Sequence, residues 1–140
     1  MSHEILKKML GDAGEHYAVS QFGFHGLRAH KMPDGWPGHD VAVDANGQVL
    51  KVSVKTRSET PSFGPGSWFL VPESKEVEWS VFVFVSKEGI IRSWCVPSSV
   101  VQAAGRPYNG ASRVSYASLW KPPLSSYEGN WSLSPSGTKI

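Results

Sequence analysis

The stretch "DVAVDANGQVLKVSVKT", residues 40–56, decides the fold. Two alternating runs flank Asn46-Gly47, and Asn-Gly is the strongest short hairpin signal because both central residues of a type I′ turn need positive φ. With those two residues as the loop, Ala45 pairs with Gln48, Val43 faces Leu50 and Val41 faces Val52 on one apolar face. The other face pairs Ala42 with Lys51 and Asp40 with Ser53, with Lys55 just beyond. A three-residue loop would set Asp40 opposite Val52 and mix the two faces. A one-residue slip turns every side chain over, so the valine pattern selects the first register. The hairpin therefore gathers Asp40, Ser53 and Lys55.

On the N-terminal side, residues 3–21 read as helix, with Leu6, Leu10, Ala13 and Tyr17 at helical spacing. Gly11 and Gly14 interrupt it, which leaves room for a second helix capped at Asp12. "LRAH", 27–30, reads as a short strand, and "KMPDGWPGH", 31–39, is turn-rich. On the C-terminal side, a Gly/Pro/Ser loop (58–67) leads to the strand "SWFLV", 67–71. "EWSVFVFVS", 78–86, is a continuous apolar run of strand length, expected to be buried on both faces. "KEG" is a turn and "IIRSWCV", 90–96, a strand. Proline suits the first turn of a helix, so a helix is expected from about Pro97 to Ala104. From Gly105 onward the chain is rich in Pro, Ser, Gly and Asn, with Trp120 and Trp131 placed to pin it back. This order predicts an α/β (α+β-like) domain over 1–132. It is a mixed, largely antiparallel sheet flanked by an N-terminal helix and a second helix, with 133–140 a flexible tail.

The bulk composition bounds the function. The chain has 140 residues, enough for one core, with ordinary hydrophobic (40%) and charged (19%) fractions. No apolar run approaches the roughly 20 residues that cross a bilayer. A single cysteine, Cys95, excludes an internal disulfide and a multi-cysteine zinc site, and a cytoplasmic location is expected. The net charge of +2 is too small to announce nucleic-acid binding alone but allows a local basic groove. Six tryptophans spread along the chain suit core and interface anchors better than a stacking row.

Three segments, "GEHYA" (14–18), "PGHDVAV" (37–43) and "VSVKTR" (52–57), together resemble the PD-(D/E)xK nuclease superfamily, closest to its resolvase-like and restriction-endonuclease-like members. The resemblance covers roughly residues 10–57 and continues more weakly through "VFVFVS" and "SWCVPSSVV". It implies a restriction-endonuclease-like fold, DNA as partner, and Mg²⁺ or Mn²⁺ as cofactor. By that resemblance Asp40 would ligate the metal, with Glu15 and the backbone carbonyl of Val54 as further ligands. Lys55 would orient the attacking water or stabilise charge on the phosphate, completing a catalytic set of Asp40, Lys55 and Glu15. Ser53, Lys51 and Arg57 would face the substrate. The pattern has an acid where this chain has Ser53, and a neutral hydroxyl is a poor Mg²⁺ ligand.

Each of these residues has a plainer role open to it. Asp40 can be an acid leading into a strand, and Lys51, Lys55 and Arg57 can keep an open sheet face soluble. Glu15 follows Asp12 at capping-box spacing. His16 and His39 read as structural, His39 facing away from Asp40 by strand alternation. There is no H-E-x-x-H, no zinc spacing, no P-loop lysine in "FGPGS", and no G-x-S-x-G. Cys95 reads as a buried thiol. Two functions remain: a metal-dependent DNA endonuclease with a reduced acidic site, or an inactive nuclease-fold module that binds DNA or a protein partner. A homodimer is compatible with either, and an adaptor working through a protein surface is a broader third possibility.

Overall fold

The computed structural model describes residues 3–60, 67–72 and 76–138. Helix α1 (His3–Phe24) is continuous through both glycines, so Asp12 and Glu15 sit in mid-helix and the capping-box alternative falls away. Strands β1 (Arg28–Lys31), β2 (Val41–Ala45) and β3 (Gln48–Ser58) follow, then β4 (Trp68–Pro72), β5 (Trp79–Val85) and β6 (Ile91–Pro97). Helix α2 (Ser98–Ala104) leads into the hairpin β7 (Arg106–Tyr108) and β8 (Ala111–Ser115), and two 3₁₀ turns, Ala117–Trp120 and Leu124–Tyr127, come after it.

The β2–β3 register is Val41 to Val52, Val43 to Leu50 and Ala45 to Gln48, as the valine pattern requires. Asn46 (φ 51°) and Gly47 (φ 80°) supply the two positive φ angles of the turn. Strand β3 pairs antiparallel with β2 over its first half and parallel with β5 from Val52 to Ser58. The five-stranded sheet has the order β1-β2-β3-β5-β6, and a second, three-stranded sheet has the order β4-β8-β7. A parallel pair needs a long crossover, and residues 59–78 provide it, carrying β4 on the way.

The large sheet has a core on each face. Against α1 lie Val41, Val43, Val52, Val54, Val81 and Cys95, with Ala18 and Phe22 from the helix. On the opposite face Phe82, Phe84, Trp94 and Val96 pack against Val101 of α2 and against Phe69 and Val114 of the small sheet. Strand β5 thus sends valines one way and phenylalanines the other, which is why its sequence is apolar without alternation. Each such fully buried side chain contributes about 1.5–3 kcal/mol over exposure.

The segment after α2 is ordered by packing rather than by regular structure. Trp131 is buried, with its ring edge-on to Phe22 (5.0 Å) and Tyr17 (5.8 Å). Asn130 is fully buried and donates to the carbonyls of Cys95 (3.2 Å) and Ser134 (3.0 Å). Beyond residue 132, Leu133 is buried and the Tyr127 hydroxyl donates to the Pro135 carbonyl at 3.0 Å. Trp120 stays half-exposed, covered by the Arg92 guanidinium 4.3 Å above its ring.

Candidate functional site

Asp40 stands just ahead of β2 and is tied to β3 twice. Its backbone N–H donates to the Val52 carbonyl (3.0 Å), and its carboxylate Oδ2 accepts the Val54 N–H (2.8 Å). Asp40 therefore brackets Ser53, the residue between those two partners. In an extended strand a residue's N–H and C=O leave by the same edge. The Val54 carbonyl consequently points to the Asp40 side of β3. Ser53 is paired with Ser80 of β5 across the parallel ladder, so both hydroxyls lie on one face.

That face opens into a cleft of about 220 Å³. Asp40, Ser53 and Lys55 line it together with Ser80, and α2 closes one side with Ser98, Val101 and Gln102. Trp36 and His39, from the turn-rich segment, stand at the cleft as well. His39 lies before β2 begins, so strand alternation does not govern it, and it joins Asp40 instead of facing away. Trp36 is 49% exposed and so is not one of the core anchors among the core and interface anchors expected of the tryptophans.

Glu15 reaches Asp40 from the other face of the sheet. It lines a second cleft of about 270 Å³ with Asp12, Lys31 and Asp34, and Asp40 is a wall of both clefts. Lys31 Nζ lies 3.4 Å from Glu15 Oε1 and 3.0 Å from Asp34 Oδ1, while Lys8 bridges Asp12 and Asp34 at 3.1 Å each. Burial, and after it the charge of Asp40, push the Glu15 carboxyl above its ordinary range against the opposing pull of Lys31. Gly14 allows this approach, because its bare Cα lets α1 lie directly on Thr56 of β3.

The structure thus brings Asp40 together with Lys55 and Ser53 in one cleft, and with Glu15 in the other. Glu15 and Lys55 share neither cleft. Arg57 lines a third depression with Lys55 and Trp68. Lys51 lies outside these clefts, its backbone engaged by Glu78: the Lys51 N–H donates to the Glu78 carboxylate and its carbonyl accepts the Glu78 N–H at 2.9 Å.

Among the described residues, no group of three or more His, Cys, Asp or Glu side chains could hold a metal ion. The donors present suit a sparser arrangement. Mg²⁺ commonly keeps several waters and takes one or two carboxylates plus substrate phosphate. Asp40 has a second carboxylate oxygen beyond the one bonded to Val54, and the mutual repulsion of Glu15 and Asp40 is of the kind a divalent cation relieves. The residues fit a weakly held, substrate-completed ion and not an all-protein cage.

Sequence reasoning missed Ser80, Ser98, Trp36 and His39 as parts of this site. For Ser80 a signal existed: it is a polar residue inside an otherwise apolar, doubly buried strand.

No protein-family profile matches the sequence, and no curated protein does. Among solved structures the chain is similar to the bacterial homing endonuclease I-Ssp6803I, at a TM-score of 0.59 and 20% identity, covering 90% of each chain. It is also similar to Hjc, a Holliday junction resolvase from the archaeal hyperthermophile Archaeoglobus fulgidus, at a TM-score of 0.48 and 14% identity over 76% of this chain and 84% of that one. No helix among the described residues is long and apolar enough to cross a membrane. At nine-tenths coverage of both chains, the likeness to the homing endonuclease establishes the architecture: this chain shares the fold of that protein.

Proposed function

We propose that the chain is a DNA-directed phosphodiesterase whose acidic set is reduced to Asp40 and Glu15, with Lys55 as its cation. The observation that carries this reading is the shared cleft: Asp40, just ahead of β2, and Lys55 of the neighbouring β3 line one concavity together with Ser53. A face that only bound DNA would have no use for a carboxylate among the cations that meet phosphate. Mg²⁺ or Mn²⁺, held by Asp40, Glu15 and the Val54 carbonyl, would polarise the scissile phosphate and acidify its attacking water. Lys55 would hold the phosphate and offset charge that develops on it. Asp40 stays ordered for this work because the Val54 N–H anchors one of its oxygens. Arg57, beside Lys55, would extend the cationic track along the strand.

A second reading, an inactive nuclease-fold module that binds DNA or a protein partner, is favoured by Ser53. It is buried at the position where the pattern has an acid, and no three-ligand cluster replaces it among the described residues.

Titration with Mg²⁺ and Mn²⁺ in cleavage assays on duplex, branched and single-stranded DNA separates the two. The expected result is metal-dependent cleavage that falls about 100-fold or more in Asp40→Ala and in Lys55→Ala. Cleavage untouched by both substitutions would remove the site assignment. Binding that weakens steeply with salt, with no cleavage by any metal, would establish the binding module.

A further inference from the structure

The small sheet has two unlike faces. Phe69, Val71 and Val114 point inward and are buried in the core against the large sheet. Side chains alternate along a strand, and directly paired residues share a face. The register therefore puts Trp68 and Leu70 of β4, Arg113 of β8, and Arg106 and Tyr108 of β7 together on the outer face. Trp68 and Leu70 are each 44% exposed and Tyr108 is 45% exposed. The Arg113 guanidinium lies 4.5 Å from the centre of the Trp68 ring and 4.7 Å from that of Tyr108. A guanidinium held by rings keeps its N–H groups for other partners. Arg106 stands directly across the ladder from Arg113. Like charges at such a position are destabilising unless an anion comes between them. Among the described residues, the register puts no Asp or Glu on this face.

The outer face is continuous with the cleft. Lys55 lines both the cleft and the third depression, and Trp68 and Leu70 line that depression with Arg57. A row of cations thus runs from Lys55 through Arg57 to Arg113 and Arg106, with half-exposed rings and Leu70 beside it. Cations alone would suit any phosphate backbone. A duplex, however, keeps its base faces stacked inside and would leave the rings without a partner. A second copy of this chain, docked face to face, would bring the same arginines to the dyad with no acid to meet them. An unpaired strand supplies both components, phosphates for the arginines and base faces for the rings. We propose that the outer face of the β4-β8-β7 sheet binds a single-stranded segment of DNA that continues from the phosphate held at Lys55. Arg113 and Arg106 bind its phosphates, and Trp68 and Tyr108 offer their exposed ring area to its bases. This rests on the DNA-directed reading above and gives its substrate class: a duplex with an adjoining single strand.

The test measures binding of the full chain, with Ca²⁺ replacing Mg²⁺, to a labelled blunt duplex and to the same duplex with a single-stranded tail. The tail has about ten nucleotides, at the 5′ end in one substrate and the 3′ end in another. The wild type should bind one of the tailed duplexes about tenfold more tightly than the blunt one. Trp68→Ala, Tyr108→Ala and Arg113→Gln all act at positions that are not buried, and thermal melting checks their fold. Each should shrink the preference to about threefold or less while leaving blunt-duplex affinity unchanged. Arg113→Gln should also lower the slope of log affinity against log salt for the tailed duplex by about 0.7, and an unchanged slope would deny its phosphate contact. Equal wild-type affinities for blunt and tailed duplexes would overturn the single-strand platform. Variants that weaken both alike would give the face to duplex backbone, and a wild-type dimer that Trp68→Ala dissociates in sedimentation would give it to a second copy. Each of these outcomes leaves the DNA reading intact. No salt-sensitive binding to any of the duplexes would overturn both.

Discussion

Gly14 of α1 and Thr56 of β3 are in direct contact: a Cβ built on the glycine would lie 1.7 Å from Thr56 Oγ1 and 2.8 Å from its Cβ. The helix carries Glu15 and the strand carries Lys55, so this contact sets the distance at which the two elements bear on Asp40.

Gly14→Ala should therefore destabilise the protein even though alanine is the better helix former. Overpacking of this kind costs about 1–3 kcal/mol, against roughly 1 kcal/mol gained in helix propensity. Thr56→Gly should recover much of the loss. Urea unfolding of both single variants and the double variant closes the cycle, and strict additivity would show that the two residues do not meet.

Asp40 has a structural duty that its chemical one must be separated from. Asp40→Asn keeps an oxygen for the Val54 N–H and removes the charge, whereas Asp40→Ala loses both. The asparagine variant should stay within about 0.5 kcal/mol of wild type, and the alanine variant should lose about 1–2 kcal/mol. Amide exchange at Val54 should quicken in the alanine variant alone. Equal loss of cleavage in the two would then assign the defect to charge.

Ser53 can be replaced by the acid that the resembled nuclease pattern has at this position. A second carboxylate buried beside Asp40 should cost the metal-free Ser53→Asp variant about 1–3 kcal/mol, because the two like charges would share the single Lys55 cation that lines the cleft among the described residues. Added Mg²⁺ should reverse that cost by binding the folded state, raising the melting temperature by about 5 °C more than in wild type. A Mg²⁺ response no larger than that of wild type would deny that the bracketed position looks onto a cation site.

Glu15 sets a pH dependence with a definite sign. Burial first, and the Asp40 charge second, raise its carboxyl above the ordinary value of 4.5, with the Lys31 ion pair already in that balance. A carboxyl raised in the folded state contributes stability that is full below the unfolded pKa and is lost as pH rises through the folded one. Glu15→Gln lacks this loss. The variant should gain on wild type as pH is raised from about 4 to about 7, with the gap closing at the acid end. Denaturant midpoints across that range check it, and a gap that widens toward acid would mean that the ion pair dominates.

What could be read from the residues follows from how local each feature is. The β2–β3 hairpin declared itself because its turn and its valines agree, and it brought Asp40, Ser53 and Lys55 along within one local unit. Asn109-Gly110 carries the same turn, with φ of 44° and 77°, between β7 and β8. It went unread because the short β7 contains Pro107 and is exposed throughout, so neither alternation nor burial marks it. The unbroken α1 was hidden by two glycines, one of which is required by the strand beneath it. Ser80 could not be placed beside Ser53 from spacing, since a parallel register is set by contacts distant in sequence. For the same reason the sequence could not tell that Glu15 and Lys55 approach Asp40 from opposite faces.

The change of partner along β3 also has a bearing on the order in which the site assembles. Its antiparallel half closes through a two-residue turn, a local event that occurs in about 1–10 μs for a hairpin. Its parallel half must wait for the 59–78 crossover to bring β5 alongside, and non-local pairing of that kind slows folding. Asp40, Ser53 and Lys55 are thus gathered by a local closure, while the wall that carries Ser80 needs the slower non-local pairing. A chain arrested before that pairing would hold its charged residues in place and still have no pocket.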